Sequence, residues 1–441
     1  MRLLAIILIF FSGCSQHNSG ESSRPQARLP VPEIASRNLN IAANVQPSGN
    51  VIVVGKGQQF SSLKDAIAKA KSGDTIVLQQ GIYREGNIVL TKAVTILGQN
   101  YPVLDGEKKH EIITISGSNI KVSGIHFKDC GQSAMNDFAS VKLIDSRNII
   151  ISDNKITDSY FGIHISNSKD CTIQGNAVSG TPTTEQNTGN GIHLWKCENI
   201  LIEENFISGH RDGIYFEFVT RSLIKNNISD QNIRYGIHFM FSHHDRYIGN
   251  TFRNNGAGVA VMYSNNVHME DNHFEKNWGA AAYGILLKEI SDSHIARNTF
   301  NTNTVAILME GTNRIEVKQN SFRENGCAMR VQASCNDNTI HDNNFFGNTF
   351  DVATNGTMML NRFYNNYWDK YEGYDMNRDG IGDVPYHPVS MYAMIIEQNP
   401  NALILMRSFI VQLLDKAEKA IPSLTPEDLA DEKPMLKPLK L

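Results

Sequence analysis

At 441 residues, with a net charge of −4 and 20% charged residues, the chain lacks the basic excess a nucleic-acid surface requires. Its cysteines after Cys14 (Cys130, Cys171, Cys197, Cys327 and Cys335) are odd in number and include no C-x-x-C. That pattern argues against a full disulfide framework and against a zinc site, although Cys327 and Cys335 could pair. No later apolar run reaches the roughly 20 residues of a membrane span, so the body is expected to be soluble.

The N-terminus carries one basic residue, Arg2, then an apolar run Leu3–Phe11 and the small residues Ser12 and Gly13 before Cys14. This is the pattern of a secretory signal over residues 1–13. Phe11-Ser12-Gly13-Cys14 resembles a bacterial lipobox, with Phe where Leu is more usual. Cleavage there would leave Cys14 lipidated and the mature protein outside the cytoplasm. Residues 14–50 are rich in Ser, Asn, Pro and Gln and lack an apolar period, as a flexible tether does.

Ser62 to Ala70 combines a capping Ser and Asp65 with apolar Leu63, Ala66, Ile67 and Ala70, which predicts one amphipathic helix. Thr75–Leu78 and Val94–Leu97 follow as strands. From Ile151 the frame Ile-x-x-Asn-x-Phe/Ile repeats. It aligns Asn154, Asn176, Asn205, Asn227, Asn250, Asn272, Asn298, Asn320, Asn343 and Asn361 at spacings of 22, 29, 22, 23, 22, 26, 22, 23 and 18. A second frame, Gly-Ile-x-Φ, keeps step at Gly162, Gly191, Gly213, Gly236, Gly258 and Gly284, and Ala306 and Ala328 continue it. Each coil thus offers short period-two runs separated by Asn, Gly and Asp corners. One coil cannot bury its apolar face, whereas stacked coils share a continuous core. The expectation is an all-β, right-handed parallel β-helix over 51–390 with an N-terminal helical cap and the asparagines in one internal ladder.

In Gly-Ile-x-Φ the residue between the two apolar positions and the residue after Φ point outward. The first outward column runs His164, His193, Tyr215, His238, Ala260, Leu286, Leu308, Arg330. The second runs Ser166, Trp195, Glu217, Met240, Met262, Lys288, Glu310. Coils lie about 4.8 Å apart and same-face residues about 7 Å apart along a strand. Met240 therefore stands beside Met262, with His238 next to Met240 and Glu217 one coil before. Two exposed thioethers with an imidazole suit Cu(I), and they also suit a Met-rich protein-contact patch. His238, Met240 and Met262 are the candidate copper ligands, with Glu217 as a further oxygen.

Further on, Asp375, Asn377, Asp379 and Asp383 follow the D-x-N-x-D-G spacing of a calcium loop. Tyr386 replaces the bidentate Glu expected at its end, and an ordinary Asp/Asn/Gly turn explains the same spacing. Residues 391–441 are expected to supply a helix, densest in apolar residues from Ala402 to Leu414, and a Pro-rich tail. That segment either caps the solenoid or docks on a partner.

The segments Arg234-Tyr235-Gly236-Ile237-His238-Phe239-Met240-Phe241-Ser242 and Gly256-Ala257-Gly258-Val259-Ala260-Val261-Met262-Tyr263-Ser264 resemble the NosD family of nitrous-oxide reductase maturation proteins. Asn366-Tyr367-Trp368 and Gly380-Ile381-Gly382-Asp383-Val384-Pro385-Tyr386 resemble that family's ending. The resemblance runs from about residue 51 to 430 and implies a pectin-lyase-like solenoid in the periplasm. It further implies a non-enzymatic carrier that works with an ABC permease, NosY, and its ATPase, NosF. Copper would come from the chaperone NosL and pass to nitrous-oxide reductase for its copper–sulfur centre. The lipobox departs from the family's soluble periplasmic members. The rival expectation is a uronate lyase, hydrolase or epimerase, since such enzymes share the solenoid. The chain contains no Asp-Asp pair, Asn-Thr-Asp, Arg-Ile-Lys or Asp-Pro-His-Asp run, and glycoside chemistry needs paired carboxylates. His243-His244-Asp245-Arg246 is the nearest approach to a catalytic cluster, and a polar corner explains it equally well.

Overall fold

The computed structural model describes residues 49–132, 136–182, 184–279, 282–356, 360–399, 409–410, 413–414 and 429–441. The signal, Cys14 and all but the last two residues of the tether lie outside these residues, as does most of Ala402–Leu414. Period-two runs separated by corners fold here as a parallel solenoid. From Thr75–Leu78 onward every third strand joins the same sheet, in chain order. Among the described residues the first sheet has 14 strands, from Val51–Val54 to Leu360–Tyr364. The second has 13, from Ile82–Tyr83 to Tyr367–Trp368, and the third 12, from Ile88–Leu90 to Phe350–Ala353.

The corner between the first and second sheets carries the asparagine ladder. Asn298 Oδ1 accepts the Asn272 backbone N–H at 2.9 Å and its side-chain amide at 3.0 Å. The Asn272 amide also donates to the Tyr247 carbonyl at 3.0 Å. The same arrangement recurs from Asn154 to Asn343. The next rung, however, is Asn366 and not Asn361, because Asn343 donates to Asn366 Oδ1. Asn361 lies within a first-sheet strand and accepts from Asn338 on a separate, shorter line. Its 18-residue spacing reflected a match to the local frame and not to the corner. A second ladder, Asn232, Asn255, Asn277, Asn303, Asn325 and Asn348, lines another corner; the sequence frames had not singled it out.

Inside, Phe252, Phe274, Phe300, Phe322, Phe345 and Trp368 stack at centroid separations of 5.2, 4.8, 5.0, 4.7 and 4.0 Å. Each fully buried ring contributes about 1.5–3 kcal/mol of hydrophobic stabilisation. This packing also explains the Gly column. A Cβ at Gly236 would lie 2.6 Å from the Gly258 carbonyl oxygen and 2.9 Å from Phe252 Cδ1.

Both ends are closed. Helix α1 (Leu63–Lys69) is capped by Ser62 and buries Leu63, Ala66 and Ile67. Glu85 accepts its first free N–H groups, those of Leu63 and Lys64. At the other end the tail takes the place of a further coil. Asp431 Oδ2 accepts from the Asn366 backbone and side chain and from Trp368 Nε1. Helix α2 (Met391–Gln398), capped by Ser390, places Ala393 in an apolar cluster with Ala260, Leu286, Leu308, Cys327 and Ala353. The first outward column is therefore not the exposed face expected from alternation. His164, His238, Ala260, Leu286 and Leu308 are all buried, so this part of the third sheet is covered on both faces. Cys327 and Cys335 are buried and form no disulfide.

Candidate metal centre

Three adjacent strands of the third sheet build the site: Asp212–Glu217, Tyr235–Met240 and Ala257–Met262. Their register pairs Glu217 with Met240 and Met240 with Met262, while Tyr215 pairs with His238 and His238 with Ala260. The four predicted donors thus meet in one patch. His193 pairs with Tyr215 and so lies two coils from His238. Glu217, Met240 and Met262 are half-buried, whereas His238 is 5% exposed. The Tyr215 hydroxyl sits 3.2 Å from Glu217 Oε2 and 3.7 Å from Met240 Sδ, tying these two donors together. Burial and Glu217 push that phenol up to about 12, so it stays protonated.

Behind His238 stands a buried charge pair that the sequence patterns did not single out. Arg234 Nε and Nη2 donate to the two oxygens of Asp212 at 2.9 and 2.6 Å. The carboxylate is fully buried. Burial pushes the Asp212 carboxyl up, but the contacts with His238 and Arg234 outweigh it and hold the group below its usual range. The available signal was an acid at the start of one strand and a base 22 residues on, just before the neighbouring coil's strand begins. His238 Nε2 is buried with no hydrogen-bond partner. A buried, unpartnered imidazole nitrogen beside two thioethers fits a soft cation.

The turn after these strands is also unusual. Phe218, Phe241 and Tyr263 directly follow Glu217, Met240 and Met262, at φ of 55°, 49° and 52°. Neighbouring coils fill this left-handed position with Asn167, Lys196, Glu289 and Gly311. The three rings are exposed and stacked, at 5.4 Å between the first two and 5.1 Å between the last two.

Other candidates separate from this patch. Asp375 accepts the N–H groups of Asp379 and Gly380, Asn377 that of Asp379, Asp379 that of Ile381, and Asp383 that of Met376. These hydrogen bonds close the turn on itself. Among the described residues no group of three or more His, Cys, Asp or Glu side chains could hold a metal ion. Burial pushes the Cys171 and Cys197 thiols up to about 11 and 12, away from the thiolate form that binds metal.

A family model described as "NosD: Periplasmic copper-binding protein (NosD)" matches residues 175–378, a span that contains every donor of the patch. Two relatives are each described as "Probable ABC transporter binding protein NosD". The one from Stutzerimonas stutzeri is 25% identical over 374 residues, covering 80% of this chain and 85% of the relative. The one from Pseudomonas aeruginosa is 27% identical over 378 residues, covering 80% and 86%. The chain is therefore similar to NosD proteins in sequence. Its fold is shared with proteins of other kinds. A GH87 α-1,3-glucanase from Streptomyces thermodiastaticus superposes with a TM-score of 0.58 at 16% identity, covering 75% of this chain and 68% of that one. A family 28 exopolygalacturonase from Yersinia enterocolitica does so at 0.56 and 11%, covering 71% and 78%. At these identities the likeness is one of solenoid architecture. The aromatic row and the Asp212–Arg234 pair both belong to the coils of the methionine patch.

Proposed function

We propose that the chain is a periplasmic copper carrier that holds Cu(I) through Met240, Met262 and His238, with Glu217 as an accessory oxygen. In this proposal it works with an ABC permease and its ATPase, NosY and NosF. It receives copper from NosL and delivers it to nitrous-oxide reductase for the copper–sulfur centre. Cys14 would carry the lipid that keeps it at a membrane. The observation that supports this most is the in-register Met240–Met262 pair beside His238, whose Nε2 is buried without a partner. Soft thioethers select Cu(I), and two sulfurs with one imidazole leave a coordination position for handover. Phe409, Ile410 and Leu413 are exposed apolar residues of the C-terminal segment, which suits the docking role proposed for it.

The double replacement Met240→Leu with Met262→Leu tests the carrier role. Leu conserves volume, so folding should change by less than about 1.5 kcal/mol. Cu(I) affinity, measured against a chromogenic chelator, should fall at least about tenfold, the factor each 1.4 kcal/mol of lost binding energy represents. Reductase matured with this variant should lack its copper–sulfur centre. Unchanged affinity and full maturation would instead make the methionines a partner-contact patch.

A further inference from the structure

The two ring nitrogens of His238 meet opposite chemistry. Nδ1 faces the buried pair, with Arg234 Nη2 at 3.3 Å and Asp212 Oδ2 at 3.7 Å. Nε2 has no partner. A guanidinium can only donate a hydrogen bond and an ionised carboxylate can only accept one. The two neighbours therefore demand different tautomers. When Arg234 donates to Nδ1, the ring proton sits on Nε2 and that nitrogen offers a metal no lone pair. When Nδ1–H points to Asp212, Nε2 is free to ligate.

Packing confines the ring to this choice. Tyr235 lies against it at 4.9 Å and Tyr215 meets it edge-on at 5.1 Å. Arg234 is fixed in turn by its two-pronged bond to Asp212 and by the Tyr235 ring, 4.9 Å from the guanidinium carbon. Ligating histidines are commonly oriented by a carboxylate on the other nitrogen. Here the carboxylate is shared with a competing donor.

We propose, resting on the copper assignment above, that Asp212 and Arg234 are positioning residues that switch His238 between two tautomers. Arg234 holds the Nε2–H form in the copper-free protein. Asp212 accepts Nδ1–H once Cu(I) is bound through Nε2. One proton leaves Nε2 and one arrives at Nδ1, exchanged with water, so the exchange leaves the net charge of the ring unchanged. The sulfurs then keep hold of the ion while the imidazole engages or lets go, which gives the carrier a defined releasing step.

The test uses the full mature chain labelled with 15N-histidine. Two-bond N–H correlation should show His238 as the Nε2–H tautomer without copper and the Nδ1–H tautomer with Cu(I). Asp212→Asn places an amide donor where an acceptor is needed and should weaken Cu(I) binding about 10- to 100-fold. In a His238→Ala background the same change should have no further effect. An equal loss with and without His238 would reduce Asp212 to a structural role and overturn the proposal. Arg234→Lys covers the case in which Asp212→Asn does not fold. It keeps the charge but loses the planar fork, and it should move the copper-free tautomer toward Nδ1–H; an unmoved tautomer would overturn the switch. If the wild type binds no Cu(I) through Met240 and Met262, the carrier assignment fails. The copper-free tautomer still judges the switch separately, since an Nδ1–H ring there contradicts it.

Discussion

The asparagine corner and the outer face of the third sheet belong to the same coils, yet they treat buried polar groups in opposite ways. Along the corner each Oδ1 takes two donors from the preceding rung, and each amide finds acceptors of its own. On the outer face His164 Nδ1 and His238 Nε2 are buried without partners, and three aromatic residues occupy left-handed backbone positions. Buried orphans and strained backbone are both costly, and they persist where surrounding structure over-determines them. The repeat therefore supplies a rigid frame whose stability tolerates irregularity in a few coils. The coils of His238 and the three aromatic residues carry the metal-binding candidates.

Acid should separate the two regions most strongly. His164 and His193 stack at 4.8 Å with Phe161 against both. Burial pushes their pKa values down to about 4 and about 3. The folded chain thus binds fewer protons than the unfolded chain once pH drops below the ordinary value of about 6.5. Their contribution is complete above that pH, declines as pH falls through the folded values, and levels off below them. The asparagine side chains of the corner carry no titratable group. Stability measured by urea unfolding from pH 7 to pH 4 should fall by several kcal/mol in the wild type. It should fall markedly less in the variant carrying His164→Phe and His193→Phe. Equal slopes in the two proteins would place the acid sensitivity elsewhere.

At neutral pH the order reverses, and the corner becomes the sensitive region. Replacing Asn272 with Ala leaves the Asn250 N–H and the Tyr247 carbonyl without their partners inside the solenoid. Each buried orphan costs about 1–3 kcal/mol, so a loss of about 3 kcal/mol is expected. Met240→Leu, one coil away on the outer face, should cost less than about 1.5 kcal/mol. Urea midpoints at pH 7 check both, and comparable losses would erase the distinction between frame and site.

What could be read from the residues follows the same division. The solenoid was legible because its cause is periodic: alternation, corner residues and the coil length recur until chance is excluded. The register of Glu217, Met240 and Met262 followed from that period alone. The burial of His238 did not. Alternation says which way a side chain leaves a strand, but not whether another part of the chain covers it. Here the outer-face cluster includes Ala393, more than 130 residues beyond Met262. Asn361 was misassigned for a related reason, since a local frame match cannot tell a strand position from a corner. Asp212 and Arg234 were missed because a one-coil charge pair is common on exposed faces and gains meaning only when buried.

The aromatic row offers the finest test, because strain and stacking there nearly balance. A bulky residue at positive φ costs about 1–2 kcal/mol, and Asn tolerates that conformation. Each stacked pair returns about 0.5–1.5 kcal/mol, nearer the lower figure for rings as exposed as Phe218, Phe241 and Tyr263. Phe241 is the middle ring and takes part in both stacks. Phe241→Asn alone relieves one strained residue but removes two stacks, so stability should barely move. Changing all three to Asn relieves three strained residues for the same two stacks and should stabilise the chain by about 2 kcal/mol. Cu(I) affinity should be unaffected in either variant, because Glu217, Met240, Met262 and His238 are untouched. A triple variant less stable than the wild type would mean that the rings are held by packing and carry no strain. A fall in its Cu(I) affinity would bring the aromatic row into the metal centre itself.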